Sequence, residues 1–106
     1  MTRTILLLGA GTPFGLRMLT RLMRRPLLRL CVVDTGDVCL KDGKQGYFFF
    51  PLDVHKAGDF EPLDDLIDDA DIVVWCYPEG LDARVRAVCK IKETRIIEPL
   101  HFALTH

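Results

Sequence analysis

The stretch that decides the fold is residues 3–15, R-T-I-L-L-L-G-A-G-T-P-F-G. Residues 3–9 form a short continuous apolar run closed by a glycine. A strand buried on both faces of a parallel sheet has this pattern. The periodicity changes at Thr12. From there to Arg25, Phe14, Met18, Leu22 and Leu19 fall on one side of a helix, and Arg17, Arg21, Arg24 and Arg25 on the other. Pro13 suits the first helical turn, where no N–H is needed. Pro26 ends the helix through its missing donor and ring clash. The stretch therefore reads as strand, glycine turn, helix.

The same alternation continues outward. Residues 28–34 (L-R-L-C-V-V-D) predict a second strand closing on an acid, and a turn-rich stretch with three glycines runs to Gly46. Residues 47–54 (Y-F-F-F-P-L-D-V) predict a third strand, with Pro51 marking an edge or a bend. Residues 62–70 predict a short acidic helix with Leu63, Leu66 and Ile67 inward, its aspartates facing solvent. Residues 71–77 (D-I-V-V-W-C-Y) predict a fourth strand with Trp75 in the core. Residues 81–91 predict a helix with Val85, Val88 and Cys89 or Ile91 inward, and residues 95–98 (R-I-I-E) a fifth strand. The order β-α-β-β-α-β-α-β predicts an α/β fold: a Rossmann-like open, mainly parallel sheet of five or six strands with helices on both faces. One domain is expected over residues 1–98, with 99–106 as a tail. Leu100, Phe102 and Leu104 alternate there with period two, which suits an extra strand or a contact with a second copy.

Composition narrows the function. The 106 residues suffice for one domain, with 49% hydrophobic residues for a core and 27% charged residues for a surface. The formal net charge of −1 supplies no basic footprint for nucleic acid and no polybasic membrane patch. No apolar run approaches the roughly 20 residues that span a bilayer, and residues 5–8 are too short for a signal-peptide core. A cytoplasmic protein is expected. Cys31, Cys39, Cys76 and Cys89 contain no C-x-x-C pair, so reduced thiols are expected and a zinc site is not. The chain has no serine and no asparagine, which removes a serine nucleophile.

The chemistry concentrates at Gly9-Ala10-Gly11-Thr12-Pro13-Phe14-Gly15. Gly9 permits the turn out of the strand, Gly11 a close backbone approach to a pyrophosphate, and Gly15 tight packing of helix on sheet. The helix start offers N–H groups and a partial positive charge to phosphates, and the Thr12 hydroxyl adds a donor. Asp34 ends the second strand 23 residues after Gly11, close to the roughly 20 expected for an acid that bonds adenosine ribose hydroxyls. Its charge repels a 2′-phosphate and no Arg or Lys follows before Lys41, so NAD is expected rather than NADP. Asp53 and Val54 after the third strand, and Cys76, Tyr77 and Pro78 after the fourth, lie at the strand ends where open α/β sheets bind ligands. They are read as further lining of the same cofactor site. His55, His101 and His106 receive no catalytic role, and neither tyrosine has a lysine four residues later.

Together these segments resemble the cofactor-binding half of nicotinamide dehydrogenases. In the prephenate/arogenate dehydrogenase group the glycine turn, the strand-two acid and an A-D-I-V-V-x-x-x-P fourth strand are similar, the last matched by residues 70–78. That resemblance covers residues 3–98. The extended short-chain dehydrogenase/reductase group is similar in the six-residue step from Gly9 to Gly15 and in Leu52-Asp53-Val54, but has glycine where this chain has Thr12. The first resemblance implies a catalytic histidine and a helical, dimerising substrate domain beyond this stretch. The second implies a Ser-Tyr-Lys set that a chain without serine lacks. The expectation is an NAD(H)-binding domain without its catalytic domain, partnered by such a domain or by a second copy. The alternative is a stand-alone nucleotide-binding regulatory module. An S-adenosylmethionine methyltransferase is disfavoured, because Leu6-Leu7-Leu8 stands where that class carries an acid. A flavodoxin-like or receiver domain is disfavoured because the first strand ends without a hydroxyl-rich loop or an acid pair.

Overall fold

A computed structural model describes residues 2–35 and 46–98. Five strands form one sheet: β1 (Arg3–Leu8), β2 (Leu28–Asp34), β3 (Phe48–Pro51), β4 (Ile72–Trp75) and β5 (Arg95–Ile97). Their spatial order is β3-β2-β1-β4-β5 and every pairing is parallel. The chain moves outward from β1 to β3, then returns to β4 on the other side of β1. The order thus reverses at β1, and the reversal opens a crevice at the carboxyl ends of β1 and β4.

Helices cover both faces. α1 (Pro13–Met23) packs on one; α2 (Phe60–Asp69), preceded by a 3-10 turn at Ala57–Asp59, and α3 (Ala83–Ile91) pack on the other. Successive residues of a strand point to opposite faces, and the apolar run of β1 serves both. Ile5 and Leu7 join Leu30, Val32, Val74, Cys76 and Leu19 under α1. Leu6 and Leu8 join Val33, Val73, Trp75, Leu63, Ile67, Val85 and Cys89 under α2 and α3. This double burial is why β1 reads as a continuous apolar run rather than as an alternation.

The elements lie where the sequence places them, with trimmed ends. β3 starts one residue later than expected, at Phe48, and stops at Pro51 rather than Val54. It is an edge strand, which is where a residue without an N–H is tolerated. α2 starts two residues earlier than expected, because the 3-10 turn feeds directly into it. Of the two alternatives for α3, Cys89 fills the inward position and Ile91 is 80% exposed. Trp75 is in the core at 1% exposure, and Cys31, Cys76 and Cys89 are buried free thiols. The expected sixth strand and Cys39 lie outside the described residues. Among the described residues no helix is long and apolar enough to cross a membrane, and no three His, Cys, Asp or Glu side chains gather to hold a metal.

Candidate functional site

The crevice is built on the turn between β1 and α1. Gly9 adopts φ +86°, a left-handed conformation that favours glycine. A Cβ at Gly9 would also stand 3.0 Å from Cγ of Tyr77. Gly15 is constrained differently. A Cβ there would overlap the Gly9 carbonyl oxygen and lie 2.9 Å from both the Ala10 Cα and the Thr12 Oγ1. The helix starts so close under the turn that only hydrogen fits.

Thr12 caps α1. Its Oγ1 accepts from the Gly15 N–H at 3.0 Å, and its hydroxyl lies 2.8 Å from the Gly9 carbonyl and 3.2 Å from the Cys76 carbonyl. The hydroxyl proton expected to serve a phosphate is therefore engaged inside the turn, tying the ends of β1 and β4 to the helix start. The other turn donors are also committed. The Gly9 and Ala10 N–H groups donate to the Val33 carbonyl, and the Thr12 N–H to the Gly9 carbonyl. Pro13 has no N–H. Phe14, at the second helical position, keeps a main-chain N–H without an acceptor among the described residues. Its ring packs beside the α1-face core.

Asp34 is the one buried charged residue among those described, at 5% exposure. Its Oδ2 accepts from the Gly11 N–H at 2.7 Å and its Oδ1 from the Thr35 N–H at 2.8 Å. Two main-chain donors hold the carboxylate at the mouth of the crevice, and short charge-assisted bonds of this kind offset much of the cost of burial. The bond from Gly11 joins the glycine turn to the end of β2. It was not foreseen from sequence, although the separation of the two residues was.

Tyr77 reaches across from β4. Its ring lies against Gly9 and its hydroxyl donates to Asp34 Oδ1 over a long 3.4 Å. Trp75 meets it edge-on at 5.1 Å between ring centroids, and the His55 ring stands 5.9 Å away. Burial, reinforced by the charge of Asp34, pushes the phenol far above its usual range, so it stays a protonated donor. Behind it, burial pushes the Cys76 thiol up to about 12.

The remaining expected residues divide. Asp53 follows β3, where its Oδ1 accepts the His55 N–H and its own N–H donates to Asp59 Oδ2. The Val54 and Cys76 side chains sit in the two cores, so only their main chains face the strand ends. The Cys76 carbonyl meets Thr12 and the Val54 carbonyl accepts from Arg84. Pro78 is exposed. Sequence reasoning missed the pairing of His55 Nε2 with Glu79 Oε1 at 3.0 Å on the rim, and the bond from Trp75 Nε1 to the Glu79 carbonyl at 2.9 Å that fixes the segment after Tyr77.

No protein-family model and no curated protein matches this chain. Solved structures do. It is similar to a Rossmann-fold NAD(P)-binding family protein from Shigella flexneri, with TM-score 0.70 and 18% identity over 91% of this chain and 50% of the other. It is similar to a wide-type short-chain dehydrogenase/reductase from Veillonella parvula solved in complex with NADP, with TM-score 0.71 and 14% identity over 91% of this chain and 46% of the other. A short chain dehydrogenase family protein from Francisella tularensis matches with TM-score 0.58 and 13% identity, over 83% of this chain and 39% of that one. The chain spans half or less of the length of these structures. At these identities the likeness concerns the fold, and the fold is Rossmann-type.

Proposed function

We propose that this chain binds a nicotinamide dinucleotide at the carboxyl ends of β1, β2 and β4, with NAD(H) preferred over NADP(H), as the cofactor-holding part of an oxidoreductase. The observation that carries this reading is the buried Asp34 carboxylate, held by the Gly11 N–H beside the glycine turn. A fixed carboxylate at the end of the second strand is the acceptor that vicinal ribose hydroxyls need, and its charge opposes a 2′-phosphate. Gly9, Gly11 and Gly15 bring the main chain close to the pyrophosphate. The Phe14 N–H and the positive end of α1 face its charge, with Pro13 presetting the turn. Asp53 stands by on the adenosine side.

The nicotinamide supplies hydride transfer. The chain's own residues hold and orient it: Asp34 fixes the ribose, the turn fixes the phosphates, and Tyr77 and Pro78 border the crevice. Tyr77 holds its proton too firmly to act as a general base. The acid–base groups then come from a further domain or a second copy. The names of the structural neighbours support the short-chain dehydrogenase/reductase likeness. The prephenate/arogenate likeness rests on sequence, in the glycine turn, Asp34 and residues 70–78. The second reading is a stand-alone regulatory module that senses the dinucleotide without reacting it.

Calorimetric titration with NAD⁺, NADH, NADP⁺ and S-adenosylmethionine tests this. NAD(H) binds, NADP⁺ binds more weakly, and S-adenosylmethionine does not bind. Asp34→Ala removes the acceptor for the ribose hydroxyls and is expected to weaken NADH binding. Absence of dinucleotide binding at millimolar concentration, or a preference for NADP⁺, overturns the reading.

A further inference from the structure

Tyr77 has a second feature beyond its place on the rim. It starts at the end of β4, crosses the end of β1 and reaches the acid at the end of β2. Its ring covers Gly9, the residue through which the main chain turns toward a pyrophosphate, with the Gly9 Cβ position 3.0 Å from Cγ and 3.1 Å from Cδ2. Its hydroxyl donates to the same carboxylate that a ribose would use. One side chain thus covers the phosphate turn and engages the ribose acceptor at once.

The three bonds to Asp34 differ in kind. Those from Gly11 and Thr35 are short main-chain bonds of 2.7 and 2.8 Å, which hold the carboxylate in place whatever occupies the crevice. The bond from Tyr77 is a 3.4 Å side-chain bond, longer than an ordinary O–H···O bond and correspondingly weak. The backbone around Tyr77 is anchored independently. The Cys76 N–H donates to the Leu8 carbonyl at 2.8 Å, and the Trp75 indole clamps the Glu79 carbonyl at 2.9 Å. Side-chain rotation of Tyr77 therefore frees Asp34 and lifts the ring from Gly9 without breaking a main-chain bond, while the Tyr77 main-chain N stays beside Gly9.

We propose that Tyr77 is an affinity-determining residue of the dinucleotide crevice: its phenol stands in for a ribose hydroxyl on Asp34, and a ligand binds by displacing it. The proposal rests on the reading of the crevice as a dinucleotide site. Binding then exchanges one hydroxyl donor on Asp34 for another, so that bond contributes little net affinity in the native chain. The covering ring also admits ligands only in the rotated fraction of molecules, which lowers apparent affinity in proportion. Ligands carrying a hydroxyl pair compete for Asp34; a phosphate or pyrophosphate alone offers it no donor and does not lift the phenol.

The test titrates the whole chain, Tyr77→Phe and Tyr77→Ala with NADH by calorimetry, with thermal melts to confirm folding. Tyr77→Phe keeps the ring and removes the competing hydroxyl. It is expected to bind NADH about two- to threefold more tightly, less than the worth of one ordinary hydrogen bond because the 3.4 Å bond is long. Tyr77→Ala is expected to gain at least as much. Trp75 is the only tryptophan, and it touches Tyr77 edge-on. Its emission should change when NAD⁺ binds the native chain, should not change with inorganic pyrophosphate, and should change less in Tyr77→Ala. If the native chain binds NADH and Tyr77→Phe binds equally or more weakly, the displacement proposal is wrong while the dinucleotide site stands. If neither the native chain nor either variant binds NADH at millimolar concentration, both fall. Binding by Tyr77→Ala alone supports both.

Discussion

The two sides of the crevice are made by different means. On the β1–β2 side, main-chain geometry does the work: a left-handed Gly9, a Gly15 with no space for a methyl, a Thr12 cap and a carboxylate pinned by two N–H groups. On the β4 side, side chains lean over the opening: Tyr77 on its long bond, and a His55–Glu79 pair whose side chains are 52% and 49% exposed. The first side is rigid because each part fixes the next. The second side is closed by side chains on rotatable bonds. On the proposal above, a fixed acceptor is faced by a displaceable cover.

The sharpest way to break this contrast is Gly15→Ala. The added methyl meets main-chain atoms that cannot rotate away, so the expected loss is about 3 kcal/mol or more, with failure to fold as the extreme. Urea unfolding reads it. A loss under about 1 kcal/mol, the ordinary range for a tolerated change, contradicts the geometry of the turn. Asp34→Ala leaves the Gly11 and Thr35 N–H groups without their acceptor and is expected to cost about 2 kcal/mol. Asp34→Asn keeps an acceptor and costs less. Thr12→Val removes the cap and is expected to cost about 1 kcal/mol, with Thr12→Ser recovering most of it. At the small end, Glu79→Gln on the mobile side changes stability by under about 0.5 kcal/mol, as exposed pairs do. A larger effect would mean that the rim is as rigid as the turn.

The pattern of legibility follows the same division. Glycine and proline constraints act on single residues, so Gly9, Gly15, Pro13 and Pro26 announced the turn and the limits of the helix directly. Asp34 was legible by its separation from Gly11, because strand and helix lengths fix that distance. The destination of the Thr12 hydroxyl was not legible, since capping the helix and donating to a phosphate call for the same residue type. Nor was the reach of Tyr77 to Asp34, which depends on β4 lying beside β1 and on one rotamer among several. Val54 and Cys76 were expected at the site for their positions at strand ends. Their side chains turn into the cores instead, Cys76 directly after β4 and Val54 in the turn beyond β3.

The buried thiols add a test by pH. Cys76 is pushed up from 9.0 to about 12, and Cys31 and Cys89 are raised as well, all chiefly by burial. A folded-state value above the unfolded one contributes stability that is present below the unfolded value and lost as pH rises toward the folded one. Stability is therefore expected to fall from about pH 9 toward about pH 12. These three thiols should also resist a neutral-pH disulfide reagent until the chain unfolds. Rapid labelling of Cys76 in the native chain would show that the α1-face core opens.

The central claim is that the carboxyl ends of β1, β2 and β4 form a dinucleotide site. Its most direct test is a ¹H–¹⁵N correlation titration of the chain with NAD⁺. The account predicts saturable shifts at the amides of Gly11, Phe14, Asp34 and Tyr77, with Thr20 and Arg24 on the outer face of α1 unmoved. Shifts confined to that outer face, or no shifts at millimolar NAD⁺, would contradict it.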